Sequence, residues 1–110
     1  MPHADLKYSN DLNIDPSSIL RDIEQVIQSV DPSSGLCKGR AYPAAVFHHT
    51  HILVNISLLP KPHRDAAFTQ NLLEQLERQI KSHLTQACQF SLGITYTDLG
   101  YTTGAFTPNG

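Results

Sequence analysis

With 110 residues, 40% of them hydrophobic and 16% charged, the chain holds material for one core and reads as a single domain over residues 1–110, neither disordered nor fibrous. A formal charge of −2 supplies no basic field to hold a phosphate backbone, which argues against nucleic acid as a partner. No stretch approaches the run of about 18 apolar residues that a membrane span needs, and Met1-Pro2-His3-Ala4-Asp5 lacks a signal-peptide core, so the expected setting is cytoplasmic, with no membrane partner.

The elements follow in chain order. Ala4, Leu6 and Tyr8 alternate with His3, Asp5 and Lys7 at the period of a half-buried strand. Asp15-Pro16 is a cap with proline at the first helical position, and Ile19, Leu20, Ile23, Val26, Ile27 and Val30 recur at helical spacing, predicting a helix from Pro16 to Val30. Asp31-Pro32-Ser33-Ser34-Gly35 is a turn cluster that stops it. From Cys37 to Phe47 the pattern is mixed and contains Pro43, so a second strand here belongs at an edge or carries a bulge. His51 to Leu59 is rich in β-branched residues and ends at Pro60, a third strand. Asp65 caps a second helix whose stripe is Phe68, Leu72, Leu76, Ile80 and Leu84. Phe90, Leu92, Ile94 and Tyr96 alternate with Ser91, Gly93, Thr95 and Thr97 in a fourth strand, and residues 100–110 form a polar tail. Cys37 and Cys88 are far apart and make no C-x-x-C pair; both read as reduced, buried thiols.

The order βαββαβ is two strand-helix-strand units. Each makes a right-handed crossover between parallel strands, and a hairpin near His48 to Thr50 turns the second unit antiparallel to the first. The fold class is therefore α/β (α+β): a four-stranded mixed sheet with two helices on one face. The other face, with Asn55, Ser57, Ser91, Gly93, Thr95 and Thr97, is left for solvent or a partner subunit.

This topology brings Pro2 to the same end of the sheet as Lys38 and Arg40, and the second helix starts there with His63, Arg64 and Asp65. A helix amino end and several cations suit a carboxylate-bearing ligand. Removal of Met1, normal when proline follows, leaves Pro2 with a secondary amine whose proton affinity falls among cations, a usable base near neutral pH. Lys38 and Arg40 equally suit a second role, as charges that keep an edge strand from aggregating. His48, His49 and His51 crowd the opposite end; without a cysteine or carboxylate beside them they read as exposed histidines, and no metal is expected. His3 and His63 lie nearer the proposed site and could position substrate, while Tyr96 and Tyr101 suit either pocket walls or ordinary packing.

The opening Met-Pro-His, Gly39-Arg40-Ala41, Leu53-Val54-Asn55-Ile56-Ser57-Leu58, the Pro62-His63-Arg64 entry to a helix ending Ile80-Lys81-Ser82-His83-Leu84, and the late Tyr101 stand in an order that resembles the tautomerase superfamily, most closely its 5-carboxymethyl-2-hydroxymuconate isomerase branch. The resemblance spans nearly the whole chain. It implies a cofactor-free isomerase that shifts a proton in a small unsaturated keto acid or dicarboxylate, in aromatic degradation, and that works as a homotrimer. Pro2 would be base and then acid. Arg64, at an exposed helix start, would bind a substrate carboxylate or polarise the keto group, and the second family arginine aligns with Lys38, with Arg40 matching a neighbour in the same segment. Lys38 and Arg40 share a strand face, so either can make the second contact. Two other readings keep the fold: an oligomeric anion-binding protein without catalysis, and a relative using the same proline for dehalogenation or decarboxylation.

Overall fold

The alternation and helical stripes place six elements in the expected order: β1 (His3–Ser9), α1 (Pro16–Val30), β2 (Lys38–Ala44), β3 (His51–Leu58), α2 (Ala66–Lys81) and β4 (Gln89–Tyr96). The computed structural model describes residues 1–108; Asn109 and Gly110, the end of the predicted tail, lie outside the described residues. At the start of α1 the Asp15 carboxylate accepts the Ser18 N–H at 3.3 Å, and at the start of α2 Asp65 accepts the Phe68 N–H at 2.8 Å, each meeting a donor the helix cannot use internally. The α2 helix stops at Lys81, short of the end of its apolar stripe, because His83 and Leu84 turn back by tighter bonds to Ile80 and Lys81, both 3.0 Å.

The strands form one sheet in the order β2-β1-β3-β4, with β1 parallel to β2, antiparallel to β3, and β3 parallel to β4. The hairpin expected near His48 to Thr50 is corrected here: β3 does reverse direction, but it pairs with β1, so residues 45–50 carry the chain across β1 instead of closing a β2–β3 ribbon. That leaves β2 at an edge, where Pro43 needs no ladder N–H. On one face Ala4, Leu6, Ile52, Val54, Ile56 and Leu58 are buried against Ile19, Ile23 and Ile27 of α1 and Leu72, Leu76 and Ile80 of α2. The α1 helix runs so close to β2 that a Cβ on Gly39 would lie 2.9 Å from Leu20 Cδ2, which accounts for glycine there. The opposite face, bearing His3, Asp5, Asn55, Ser91 and Thr95, is covered by no element among the described residues.

The two halves are tied at one rim by a buried ion pair. Arg64 is corrected from the exposed helix-start position expected of it: its side chain is only 3% exposed, and Nε donates to Asp31 Oδ2 at 3.0 Å, Nη1 to the Leu59 carbonyl at 2.7 Å and Nη2 to Ser34 Oγ at 3.0 Å. Asp31 ends α1 and also accepts His63 Nε2 at 2.8 Å and the Ser33 N–H at 3.0 Å. Burial alone would raise the Asp31 pKa, but the hydrogen bonds from Ser33, His63 and Arg64 outweigh it and hold the carboxyl well below the usual carboxylate range.

Removing one partner of such a pair strands the other charge out of water. Arg64→Ala is therefore expected to lower the unfolding free energy by about 3–5 kcal/mol, read from urea titrations near pH 7. The native pKa of Asp31 lies below its unfolded value, so the stabilisation should be full above about pH 4 and fade as pH falls toward the native value. A loss under about 1 kcal/mol, the worth of an exposed pair, would refute this account.

Candidate active site

Pro2 is buried at the mouth of β1, and its carbonyl accepts the Lys38 N–H at 3.0 Å, the first bond of the ladder joining β1 to β2. The α-amine of Met1, just outside, has its pKa lowered by burial and then by Lys38, Lys61 and Arg64. The Lys38 ammonium donates to the Leu36 carbonyl at 2.9 Å and to the Met1 thioether at 2.6 Å, a weak acceptor. No carboxylate lies in ion-pair range of Lys38 among the described residues.

Arg40 lies two residues further along β2 and shares the open sheet face with Lys38. Its guanidinium is engaged through both terminal nitrogens. Nη1 donates to Asp5 Oδ1 at 2.6 Å, and Nη2 to His3 Nδ1 at 2.7 Å and to the Lys38 carbonyl at 2.9 Å. Because Arg40 can only donate, His3 Nδ1 is the acceptor and Nε2 carries the hydrogen of the neutral ring. Burial, then Arg40, Lys38 and the chain amine lower the His3 pKa, with Asp5 opposing them, so His3 is held neutral as a donor beside Pro2.

The rim therefore gathers Pro2, Lys38, Arg40 and Arg64 as the topology predicts, but not as four free groups. Arg64 faces Asp31 in the interior and Arg40 faces Asp5. The amino end of α2, expected to offer its dipole to a ligand, already holds the Asp65 carboxylate. Among the described residues Lys61 reaches only Ser33, at 3.4 Å to both its carbonyl and its hydroxyl. The acids that answer these cations were missed in the sequence: Asp31 looks like a turn residue before Pro32, and Asp5 like one polar residue of an alternating strand. The signal for Asp5 was the register, since parallel pairing that sets His3 opposite Lys38 also sets Asp5 opposite Arg40.

Other singled-out residues lie elsewhere or are otherwise engaged. His48 and His49 are exposed at the far rim, and His51 Nδ1 donates to the His49 carbonyl at 2.8 Å. A cleft of about 710 Å³ opens there between His49, Thr50, Ala87, Cys88 and Gln89, at the opposite end of the sheet from Pro2. The Tyr96 hydroxyl is hydrogen-bonded to Thr69 of α2, which commits it to packing, and Tyr101 is exposed in the tail. Cys37 and Cys88 are unpaired and half-buried, a little more open than expected; burial and then Glu24 push the Cys37 thiol up to about 11.

No family model and no curated protein matches the chain. Solved structures do. A 5-carboxymethyl-2-hydroxymuconate isomerase from Deinococcus radiodurans R1 superposes with a TM-score of 0.74 at 18% identity, over 96% of this chain and 90% of that one. A 5-carboxymethyl-2-hydroxymuconate delta-isomerase gives a TM-score of 0.66 at 18% identity, over 99% of this chain and 89% of that one. A fused 4-OT symmetric trimer gives 0.66 at 14% identity, over 94% of each chain. Likeness at this level of identity speaks for architecture: the chain has the tautomerase-like fold.

Proposed function

We propose that the protein is a cofactor-independent isomerase that moves a proton between two carbons of a small unsaturated keto acid, with Pro2 as base and then acid once Met1 has been removed. The observation that carries this reading is the placement of the Pro2 backbone in a buried position beside Lys38, in a field that already depresses the amine next to it. The amine takes a proton from the carbon beside the carbonyl, the electron pair moves into an enolate, and the same proton returns at the far end of the conjugated system; nothing is oxidised or reduced. Lys38 is the group for the substrate carboxylate. In the chain that retains Met1 its ammonium lies against the Met1 thioether, so loss of that residue would free the nitrogen and the ammonium together. Arg64 acts in this proposal by fixing the rim, and Arg40 by orienting His3, whose Nε2–H can donate to the keto oxygen.

The assembly we propose is a homotrimer with Pro2 near a subunit boundary. The sheet face opposite the helices is uncovered among the described residues, and Leu36, Val46 and Tyr42, on and around edge strand β2, are 69%, 94% and 47% exposed. A solved protein of this fold is itself a symmetric trimer. In this reading a neighbour closes the site that one chain leaves open. The setting we propose is the cytoplasm, in a route that degrades aromatic compounds.

A proline nitrogen inside a peptide bond has no available lone pair, so the form retaining Met1 should be folded and inactive. The processed form should catalyse proton exchange of an enol such as phenylenolpyruvate, with a rate that rises with pH through an apparent pKa below that of a free secondary amine. Separating the two forms by mass and assaying each checks this, and equal activity in both removes Pro2 from the chemistry and favours an anion-binding protein. Light scattering at micromolar concentration should give three times the chain mass; a monomer would refute the trimer.

A further inference from the structure

The Asp5 carboxylate sits 2.6 Å from Arg40 Nη1, and both side chains project from the open sheet face next to Pro2. Two residues of strand separate Lys38 from Arg40, about 6–7 Å along β2. Two unpaired cations at that spacing would span the carboxylates of a short dicarboxylate, one at each end. Along β2 this chain does not present two. Arg40 is matched by Asp5, its Nη2 meets His3 and the Lys38 carbonyl, and a second substrate carboxylate arriving there would meet the like charge of Asp5. Lys38 has no acid within ion-pair range among the described residues.

We infer that Asp5 is a specificity-determining residue: by occupying Arg40 it restricts the Pro2 site to monocarboxylic unsaturated keto acids held by Lys38 and rejects dicarboxylates. This rests on the Pro2 rim being the substrate site. Asp5 acts through Arg40, so it is a positioning residue, and its effect should fall on selectivity among ligands and leave folding nearly unchanged, since both side chains are more than a third exposed.

Calorimetric titration of the full chain lacking Met1 with trans-2-hexenoate and trans-2-hexenedioate, acids of equal length, tests it. The unaltered protein should bind the monoacid about tenfold more tightly or better. Asp5→Asn should raise affinity for the diacid about tenfold while monoacid affinity stays within about twofold, Asp5→Glu should restore discrimination, and adding Arg40→Ala to Asp5→Asn should abolish the gain. Equal binding of the two acids by the unaltered protein, binding of neither, or an unchanged ratio in Asp5→Asn overturns the inference. The first comparison needs no variant to fold. Absence of enol proton exchange alongside the expected binding pattern would overturn the isomerase reading and leave the role of Asp5 standing.

Discussion

The Arg64–Asp31 pair joins the last turn of α1 to the entry of α2, 33 residues away, and the geometry of the rim follows from it. A pair with side chains 3% and 5% exposed survives in the interior only when its remaining donors and acceptors are met. They are: Ser33 and His63 complete Asp31, and Leu59 and Ser34 complete Arg64. Since Asp31, Ser33 and Ser34 are themselves the turn after α1, satisfying the charges also fixes the turn. The same segment then runs through Leu36 into Lys38 at the start of β2. The position of the lysine beside Pro2 is thus a downstream effect of a buried ion pair that makes no contact with the open face.

Charge at this rim is set by which cations have an acid of their own. Arg64 and Arg40 each do, and Asp65 neutralises the helix end between them and solvent. Among the described residues Lys38 and Lys61 do not, and they lead the like charges that lower the chain amine after burial has acted. Arginine suits the paired positions because its planar fork meets several acceptors at once, as at both sites here. Lysine, a compact charge on a flexible stem, stands where no such fork of acceptors is offered.

The periodic parts of the chain were the legible ones. The α1 stripe Ile19, Ile23, Ile27 and the alternation of β3 each bury what their spacing says they should, and Pro43 correctly marked β2 as an edge. The connection at residues 45–50 was not legible, because a reversal in direction looks the same in sequence whether the strand returns beside its predecessor or one place further over. Arg64 was misjudged for a similar reason: a charged residue next to Asp65 looks solvated, and only the fold brings Asp31 to it. Gathering of Pro2, Lys38 and Arg40 at one rim followed from topology alone; their side-chain pairing needed the fold, since Met1, Asp5 and His3 lie more than 30 residues from the cations they meet.

The edge position of β2 bears on how its two cations should be understood. An exposed edge invites another strand to add to the sheet, and a charge resists this only while no opposite charge cancels it. Arg40, matched by Asp5, is weak at that task, whereas Lys38 keeps its field. With no acid in ion-pair range among the described residues, the charge that lets Lys38 discourage a foreign strand is also the one that the proposed function assigns to a substrate carboxylate. Arg40 belongs instead to a local network with Asp5 and His3 that stiffens the β1–β2 pair and fixes the orientation of the imidazole. The division of labour between the cations is thus written by register: a side chain opposite Asp5 in β1 is neutralised, and one opposite His3 is not.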